Sequence, residues 1–228
     1  MAVKLDSVVP FGRSLDEYVK MFNLSDVDLQ QSLLSVADGP ASFNAEGTQL
    51  GYSITSVDPL YAFSALQIKQ RFDAVVDDII DQVANSLDDW VWSYHRSPDQ
   101  LRESRDRTAQ LFCQDFEQGK ADGRYHIGSL PQLDYPDNSY RIGLCSHFLF
   151  LYSEQLSQTF HLESICEMLR ICQEVRIFPL LNLDLQPSSH LDFVMSALAN
   201  LGYECEIQPV AYEFQRNGNR LLRIARPA

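Results

Sequence analysis

A single stretch, Ser32–Asp58, sets the fold class of this 228-residue chain. Ser32–Ala37 is a short run typical of a buried strand, and Asp38-Gly39-Pro40 is a turn sequence. Phe43–Leu50 has the length of a short helix, and Tyr52–Val57 is β-branched and apolar like a strand. Strand, turn, helix and strand in this order predict a βαβ unit, so we expect an α/β fold.

Asp58 follows the glycine turn at the spacing seen in nucleotide-binding βαβ units, where a carboxylate about 20 residues on binds ribose hydroxyls. Gly39 and its small neighbours would let a ligand come close to the backbone. The stretch therefore predicts a nucleotide half-site between the turn and Asp58. Two alternatives stay open. The turn is an ordinary strand-to-helix connection, or Asp58 serves only to cap the turn at Pro59.

The bulk properties of the chain exclude several classes of protein. Its length fits one domain, residues 1–228, and it has no apolar run of the 18 or so residues that a membrane helix needs. The net charge of −13 and pI near 4.7 would repel a phosphate backbone, so we expect no nucleic-acid partner. The five cysteines form no CxxC pair, and no zinc spacing occurs. We expect a cytoplasmic protein with reduced thiols and no metal or membrane.

Helical patterns dominate the regions around this unit. The first 13 residues suggest an irregular lead-in, and Ser14-Leu15-Asp16-Glu17 is a capping box that begins a helix. Residues 59–123 contain no convincing strand but hold two long helical patterns, which we interpret as a helical insertion or cap after the second strand. Trp90, Trp92, Tyr94 and His95 lie between these helices, where they either stack on a flat substrate or anchor the insertion to the core.

The later part of the chain returns to alternating strands and helices. Because two of its runs flank the turn Asn217-Gly218-Asn219, they predict an antiparallel pair at the end of an otherwise parallel sheet. The whole pattern predicts a three-layer αβα sandwich. The strand candidates are Arg124–Ile127, Tyr140–Leu151, which turns out of strand near Ser146-His147, Glu174–Leu181, and the closing pair Tyr203–Val210 and Leu221–Ala225.

Several segments together resemble the class I S-adenosylmethionine-dependent methyltransferases. The resemblance covers most of the chain, and the order of the segments is more specific than any one of them. The matching segments are LLSVADGPASF as the first strand and cofactor loop, ITSVD as the second strand, GSLPQLDYPDNSYRIGLCSHFLFLY as the approach to strand four with the strand and the loop after it, EVRIFPLL as strand five, and the closing hairpin.

This resemblance implies a Rossmann-like methyltransferase fold with a seven-stranded, mostly parallel sheet. S-adenosylmethionine would lie across the carboxyl ends of strands one, two and four. The loop is similar to the DCGGGPASFNAE type of a bacterial branch of the family, with two departures. The acidic residue at the end of strand one becomes Ser35 and the first glycine becomes Ala37, although another register makes Asp38 the acidic member.

The resemblance also implies which residues contact the cofactor. Asp58 would accept hydrogen bonds from both ribose hydroxyls, and Ser129 and Leu130 would meet the adenine ring. The expected cofactor-binding residues are Ala37, Asp38, Gly39 and Asp58 after the first two strands, Ser129 and Leu130 after the third, and Cys145 and Ser146 at the end of the fourth.

His147 is the candidate catalytic residue, because it follows strand four at the expected crevice and imidazole titrates near working pH. The alternative is a structural histidine beside apolar neighbours. The predicted function is methyl transfer from S-adenosylmethionine to a small molecule. The rival prediction is a noncatalytic protein on the same fold, which binds a ligand or a protein partner.

Overall fold

The computed structural model describes residue 5 and residues 8–226 of the chain. Of the predicted irregular lead-in 1–13, residues 1–4, 6 and 7 lie outside the described residues, and 8–13 are irregular. Seven α-helices follow in the described part. They are α1 Leu15–Met21, α2 Asp26–Leu29, α3 Phe43–Gln49, α4 Ala65–Ala84, α5 Pro98–Ala121, α6 Gln158–Ile171 and α7 Leu191–Asn200. The predicted capping box of Ser14 and Glu17 begins α1.

Seven strands form one sheet. The predicted run Tyr140–Leu151 leaves the sheet after Ser146, at the turn predicted near Ser146-His147, and His147 takes a positive φ of 53°. The strands are β1 Ser32–Val36, β2 Ser53–Val57, β3 Tyr125–His126, β4 Tyr140–Ser146, β5 Cys172–Phe178, β6 Glu204–Pro209 and β7 Arg220–Ala225.

The order of the strands across the sheet is β3-β2-β1-β4-β5-β7-β6. The first five strands in the chain pair in parallel, and only β7 runs against its neighbours β5 and β6. The predicted α/β, Rossmann-like methyltransferase fold with one reversed strand is therefore confirmed. After β1 the chain adds β2 and β3 on one side and then crosses to β4 on the other. The sheet thus has a topological switch point between β1 and β4, where open α/β sheets bind ligands.

Alternate residues of the strands enter two separate apolar clusters, as the two-residue period of a strand requires. Leu33 of β1 packs with residues of α1 and α3, whereas its neighbour Leu34 packs with residues of α6 and α7. In β7, Leu221 lies in the same cluster as Leu33, and Leu222 lies in the same cluster as Leu34. Helices therefore cover both faces of the sheet, which gives the three αβα layers.

The segment between β2 and β3 starts with a short 3-10 helix, Pro59–Ala62, which Asp58 caps. The long helices α4 and α5 pack against each other, and α5 also contacts α3 and β3. No helix of the described residues is long and apolar enough to cross a membrane.

Candidate functional site

A cavity of about 300 Å³ lies at the carboxyl ends of β1, β2 and β4, next to the switch point. We call it the first cavity. Its walls come from the loop after β1, from the start of the segment after β2, from the end of β4 and from the N-terminal segment. The lining residues are Val8–Arg13, Tyr18, Ala37, Asp38, Gly39, Asp58, Pro59, Leu60, Phe63, Ser146, His147 and Phe148.

Three residues on the wall have left-handed backbone conformations. Ala37 has a φ of 55°, Gly39 of 54° and His147 of 53°. Such conformations cost free energy for residues with a Cβ atom, and they cluster at functional sites. A Cβ atom added to Gly39 would meet no atom within 4 Å, so the space beside its backbone is open. The conformation of Gly39 favours glycine, and the open space gives a ligand access to the backbone.

Asp58 connects the two loops of the site. Its Oδ2 accepts a hydrogen bond from the Gly39 amide at 2.9 Å, and its Oδ1 accepts one from the Leu60 amide at 2.7 Å. The second bond is the turn cap that the sequence left as an alternative, yet Asp58 also lines the first cavity. Burial raises the pKa of Asp58 to about 6, although both amide bonds oppose this shift.

The raised pKa of Asp58 predicts that its ionisation destabilises the fold. Between about pH 4 and pH 6 the unfolded chain has lost a proton that the folded chain keeps, so the free energy of unfolding falls as pH rises. Above about pH 6 the effect is complete, at no more than about 3 kcal/mol since one pKa unit is worth about 1.4 kcal/mol.

Urea denaturation of the wild type and of Asp58→Asn at several pH values would measure this loss of stability. The difference in unfolding free energy (wild type minus variant) should fall up to about pH 6 and then level off. A flat difference would contradict the prediction.

Asp38 is buried at the end of β1 and accepts hydrogen bonds from three hydroxyl groups. Ser35 Oγ donates to Oδ1 at 2.6 Å, Ser56 Oγ donates to Oδ2 at 2.5 Å, and the Tyr18 hydroxyl also donates to Oδ1. Burial raises the pKa of Asp38, and the hydroxyl bonds oppose the rise. Ser35 stands where the resemblance predicts an acidic residue, and its hydroxyl donates a hydrogen bond to Asp38, three residues later.

The end of β4 brings two of the predicted residues to the first cavity. Ser146 Oγ and His147 Nδ1 lie 2.9 Å apart. Burial, together with the positive charges of Arg13 and Arg105, holds the pKa of His147 well below its usual range. Its imidazole is therefore neutral at pH 7, which a general base requires, but it is a weak base. A catalytic role of His147 stays a prediction.

Three of the predicted cofactor contacts do not line the first cavity. Cys145 is fully buried in the apolar cluster below it, and burial raises the pKa of its thiol to about 12. Leu130 packs in the same cluster, and Ser129 pairs with Gln132 in an isolated bridge. Their contacts with a cofactor also stay predictions.

Comparison with known proteins places the chain in a family. No known family model matches it. It is 35% identical over 225 residues to "Uncharacterized protein MJ0045" of Methanocaldococcus jannaschii, and the match covers 98% of this chain and 99% of that protein. The chain belongs to the same family as MJ0045. Its assignment to a bacterial branch with a DCGGGPASFNAE-type loop stays a prediction.

Solved structures with a similar fold share little sequence with this family member. Magnesium protoporphyrin IX methyltransferase from Synechocystis PCC 6803, solved with bound SAH, is 14% identical with a TM-score of 0.47, over 89% of this chain and 77% of that one. The mitomycin 7-O-methyltransferase MmcR is 13% identical with a TM-score of 0.49, over 93% of this chain and 54% of that one. At these values the comparison concerns the fold, and it assigns no activity to this chain.

The sequence did not indicate that residues 8–13 form one wall of the first cavity. One signal was present, because this segment contains a glycine. A Cβ atom at Gly12 would collide with the Pro40 carbonyl, so only glycine lets the segment lie against the loop after β1. Without the packing partner in view, this glycine could not be distinguished from any loop glycine.

A buried ionic network lies beside the same wall. Arg105 of α5 donates to both carboxylate oxygens of Glu17, from Nη1 at 2.7 Å and from Nη2 at 2.6 Å. The Tyr212 hydroxyl donates to Glu17 Oε1 at 2.9 Å, and His95 Nε2 lies 3.3 Å from the same oxygen. Burial alone would raise the pKa of Glu17, but Arg105 holds it well below its usual range. The carboxylate is therefore ionised in the core.

The aromatic cluster predicted between the long helices packs against the segment that joins β6 and β7. Trp90 stacks on Phe214 with ring centres 4.6 Å apart, and Tyr94 meets Tyr212 edge-on at 5.1 Å. These contacts correspond to the second of the two roles expected from the sequence, in which the aromatic cluster anchors the helical insertion to the core. Trp90 additionally borders a second, narrower cavity that adjoins the first.

Proposed function

We propose that this protein is an S-adenosylmethionine-dependent methyltransferase that acts on a small molecule. One observation carries the proposal. The first cavity lies at the switch point of the sheet and brings Gly39 and the Asp58 carboxylate, 19 residues apart, within one hydrogen bond of each other. A close backbone approach beside an acid is the arrangement that holds the ribose and its neighbouring group in nucleotide-binding α/β folds.

The residues on the wall fit different parts of this cofactor. Asp58 has further lone pairs on both oxygens, so it can accept from two ribose hydroxyls while it keeps its amide bonds. The open backbone at Ala37-Gly39 would face the methionine part. We further propose that Ser129 and Leu130 contact the adenine, and that the backbone at Cys145 and Ser146 borders the cofactor from β4.

The bound cofactor would supply an activated methyl group on its sulfonium. The protein would orient the acceptor in line with that methyl group and exclude water. Proximity of this kind lowers the activation free energy by up to about 7–11 kcal/mol in favourable cases. Neutral His147 on the cavity wall would accept a proton only from an acceptor that must lose one.

We also propose that residues 59–123 act as a cap on a single domain that spans 1–228. The start of this segment supplies Pro59, Leu60 and Phe63 to the wall of the first cavity. Arg71 of α4 lies 3.7 Å from the centre of the Phe63 ring, so the first long helix supports that wall.

Calorimetric titration with S-adenosylmethionine and S-adenosylhomocysteine tests the proposal. We expect both ligands to bind with one site per chain, whereas NAD should give no heat, because the chain lacks the glycine-rich dinucleotide motif. No heat with either methionine-derived ligand up to millimolar concentration would reject the proposal.

A noncatalytic protein that binds a ligand or a partner is the second candidate. Two observations favour it. Both Asp58 oxygens already accept hydrogen bonds from backbone amides, and burial holds the pKa of His147 well below its usual range, which makes it a weak base. The two candidates differ in turnover. Incubation with S-adenosylmethionine and a mixture of small acids, amines and phenols should release S-adenosylhomocysteine only if the protein is an enzyme.

A further inference from the structure

A second cavity of about 90 Å³ adjoins the first. It lies between the N-terminal segment, α4, the end of β4 and the segment that joins β6 and β7. Its lining is mostly aliphatic and aromatic, with Ile79, Val83, Trp90, Leu183 and Phe214 among the residues that form it. A cavity of about 150 Å³ with such a lining holds benzene, so this space suits a smaller apolar group.

The two cavities share part of their walls. Val9, Phe11, Arg13 and His147 line both of them. A molecule in the second cavity would therefore adjoin whatever occupies the first one, beside the side chains of Arg13 and His147. A methyl acceptor must lie next to its methyl donor in this way.

Two polar atoms in this apolar surrounding lack a hydrogen-bond partner. Buried Arg13 Nε and buried Gln215 Oε1 have no partner among the described residues. Gln215 is 9% exposed, and its Nε2 donates to the Asn182 carbonyl at 3.3 Å, which leaves Oε1 as the free acceptor. Buried polar groups are nearly always hydrogen-bonded, and Arg13 and Gln215 both line the second cavity, so their unpartnered atoms point to a polar ligand there.

The charges around the second cavity favour an anion. Arg105 donates to both carboxylate oxygens of Glu17 and so has a counterion. No ion pair joins Arg13 to a carboxylate in residues 8–226. Burial and the charge of Arg105 lower the pKa of Arg13 to about 10, so it is still charged at pH 7. His147 and His95 are neutral because burial lowers the pKa of each. Arg13 therefore provides a positive charge that forms no ion pair within residues 8–226, although the Glu17 carboxylate acts on it electrostatically.

We propose that the second cavity binds the methyl acceptor, and that this acceptor is a small carboxylic acid with a compact apolar body. Arg13 donates to the carboxylate, the apolar lining holds the body, and Gln215 Oε1 accepts from a hydroxyl or amine group of the same molecule. A lone pair of the accepting atom forms the bond to the methyl carbon, the pair of the broken carbon–sulfur bond stays on sulfur, and an acceptor that must lose a proton gives it to His147. This inference rests on the proposed function.

The test uses 3-methylbutanoate and its neutral amide, 3-methylbutanamide, as probes of equal shape. Each is titrated into the full chain, alone and saturated with S-adenosylhomocysteine. We expect the acid to bind at least about 10-fold more tightly than the amide, because hydrogen bonds to a charged group are the stronger ones. Arg13→Gln should remove this preference, and the exposed Arg220→Gln should keep it.

A second variant tests the place of binding. Leu183→Trp fills the second cavity from a partly exposed position, and Leu183 does not line the first cavity. It should abolish binding of the acid and leave the affinity for S-adenosylhomocysteine within about threefold of wild type. Far-ultraviolet circular dichroism would confirm that each variant is folded.

The outcomes separate this inference from the proposed function. If S-adenosylhomocysteine binds but the acid does not bind or binds no better than the amide, the inference is overturned and the proposed function stands. If Arg13→Gln weakens S-adenosylhomocysteine and not the acid, Arg13 serves the cofactor carboxylate, which also overturns the inference. If the acid binds by these criteria and S-adenosylhomocysteine does not, the second cavity is an acid site and the methyltransferase proposal fails.

Discussion

Replacing Glu17 with leucine is expected to lower the free energy of unfolding by about 3–5 kcal/mol. Glu17 is fully buried, and it accepts two hydrogen bonds from Arg105 and one from Tyr212. Without this carboxylate, the Arg105 guanidinium stays charged in the core with no counterion, and Arg13 loses the attraction of the same carboxylate. Urea denaturation followed by circular dichroism would measure the loss.

The double variant Glu17→Leu with Arg105→Met separates the lost ion pair from the lost packing. Replacement of a buried pair by apolar side chains is often close to neutral, so the double variant should be more stable than Glu17→Leu alone. Asp16→Asn is the matched control, because Asp16 is the exposed neighbour in the same helical turn. This control should lower the free energy of unfolding by less than about 1 kcal/mol, because exposed ion pairs contribute no more than that. A single-variant loss no larger than that of the control would contradict the prediction.

Replacing Asp58 with alanine is expected to weaken the binding of S-adenosylhomocysteine by at least about 100-fold. The proposal gives Asp58 two hydrogen bonds to ribose hydroxyls. Hydrogen bonds to a charged group contribute about 1.5–3 kcal/mol each, and about 1.4 kcal/mol corresponds to a tenfold change in affinity. Calorimetry above pH 7, where Asp58 is ionised, is the measurement.

Two further variants make this result specific. Asp58→Asn keeps an acceptor but loses the charge, so its affinity should fall between those of wild type and Asp58→Ala. Asp134→Ala removes an exposed carboxylate outside the first cavity and should bind as wild type does. An unchanged affinity in folded Asp58→Ala would show that Asp58 serves only as the turn cap.

Much of the fold was predictable because it depends on local patterns. The βαβ unit Ser32–Asp58 shows its strand periodicity, its turn residues and its helix length within 27 consecutive positions. The capping box at Ser14 is likewise a relation between residues three apart. The end of β4 was less clear, since Phe148–Leu151 is apolar although the backbone has already turned away at His147. Periodicity cannot show where a buried strand leaves its sheet.

The candidate site could be predicted only where its residues follow a strand. Parallel strands end at the same edge, so the loops that contain Gly39, Asp58 and Ser146 had to lie near one another once the strand order was known. Ser129 and Leu130 were expected at the cofactor because of the resemblance, and they do not line the first cavity. Their loop follows β3, which is separated from β1 by β2 and lies farther from the switch point.

The sequence by itself determined the class of fold, the reversed last strand and the acid that follows β2, because each depends on short-range pattern and chain order. Only the tertiary structure showed that residues 8–13 form a wall of the first cavity and that Glu17 pairs with Arg105, 88 residues away. It alone showed that Arg13 and Gln215, which line one apolar space, each have a polar atom with no partner in the described part of the chain. The physical reason is that burial and pairing depend on which distant segments meet, and a local pattern carries no information about its distant partner.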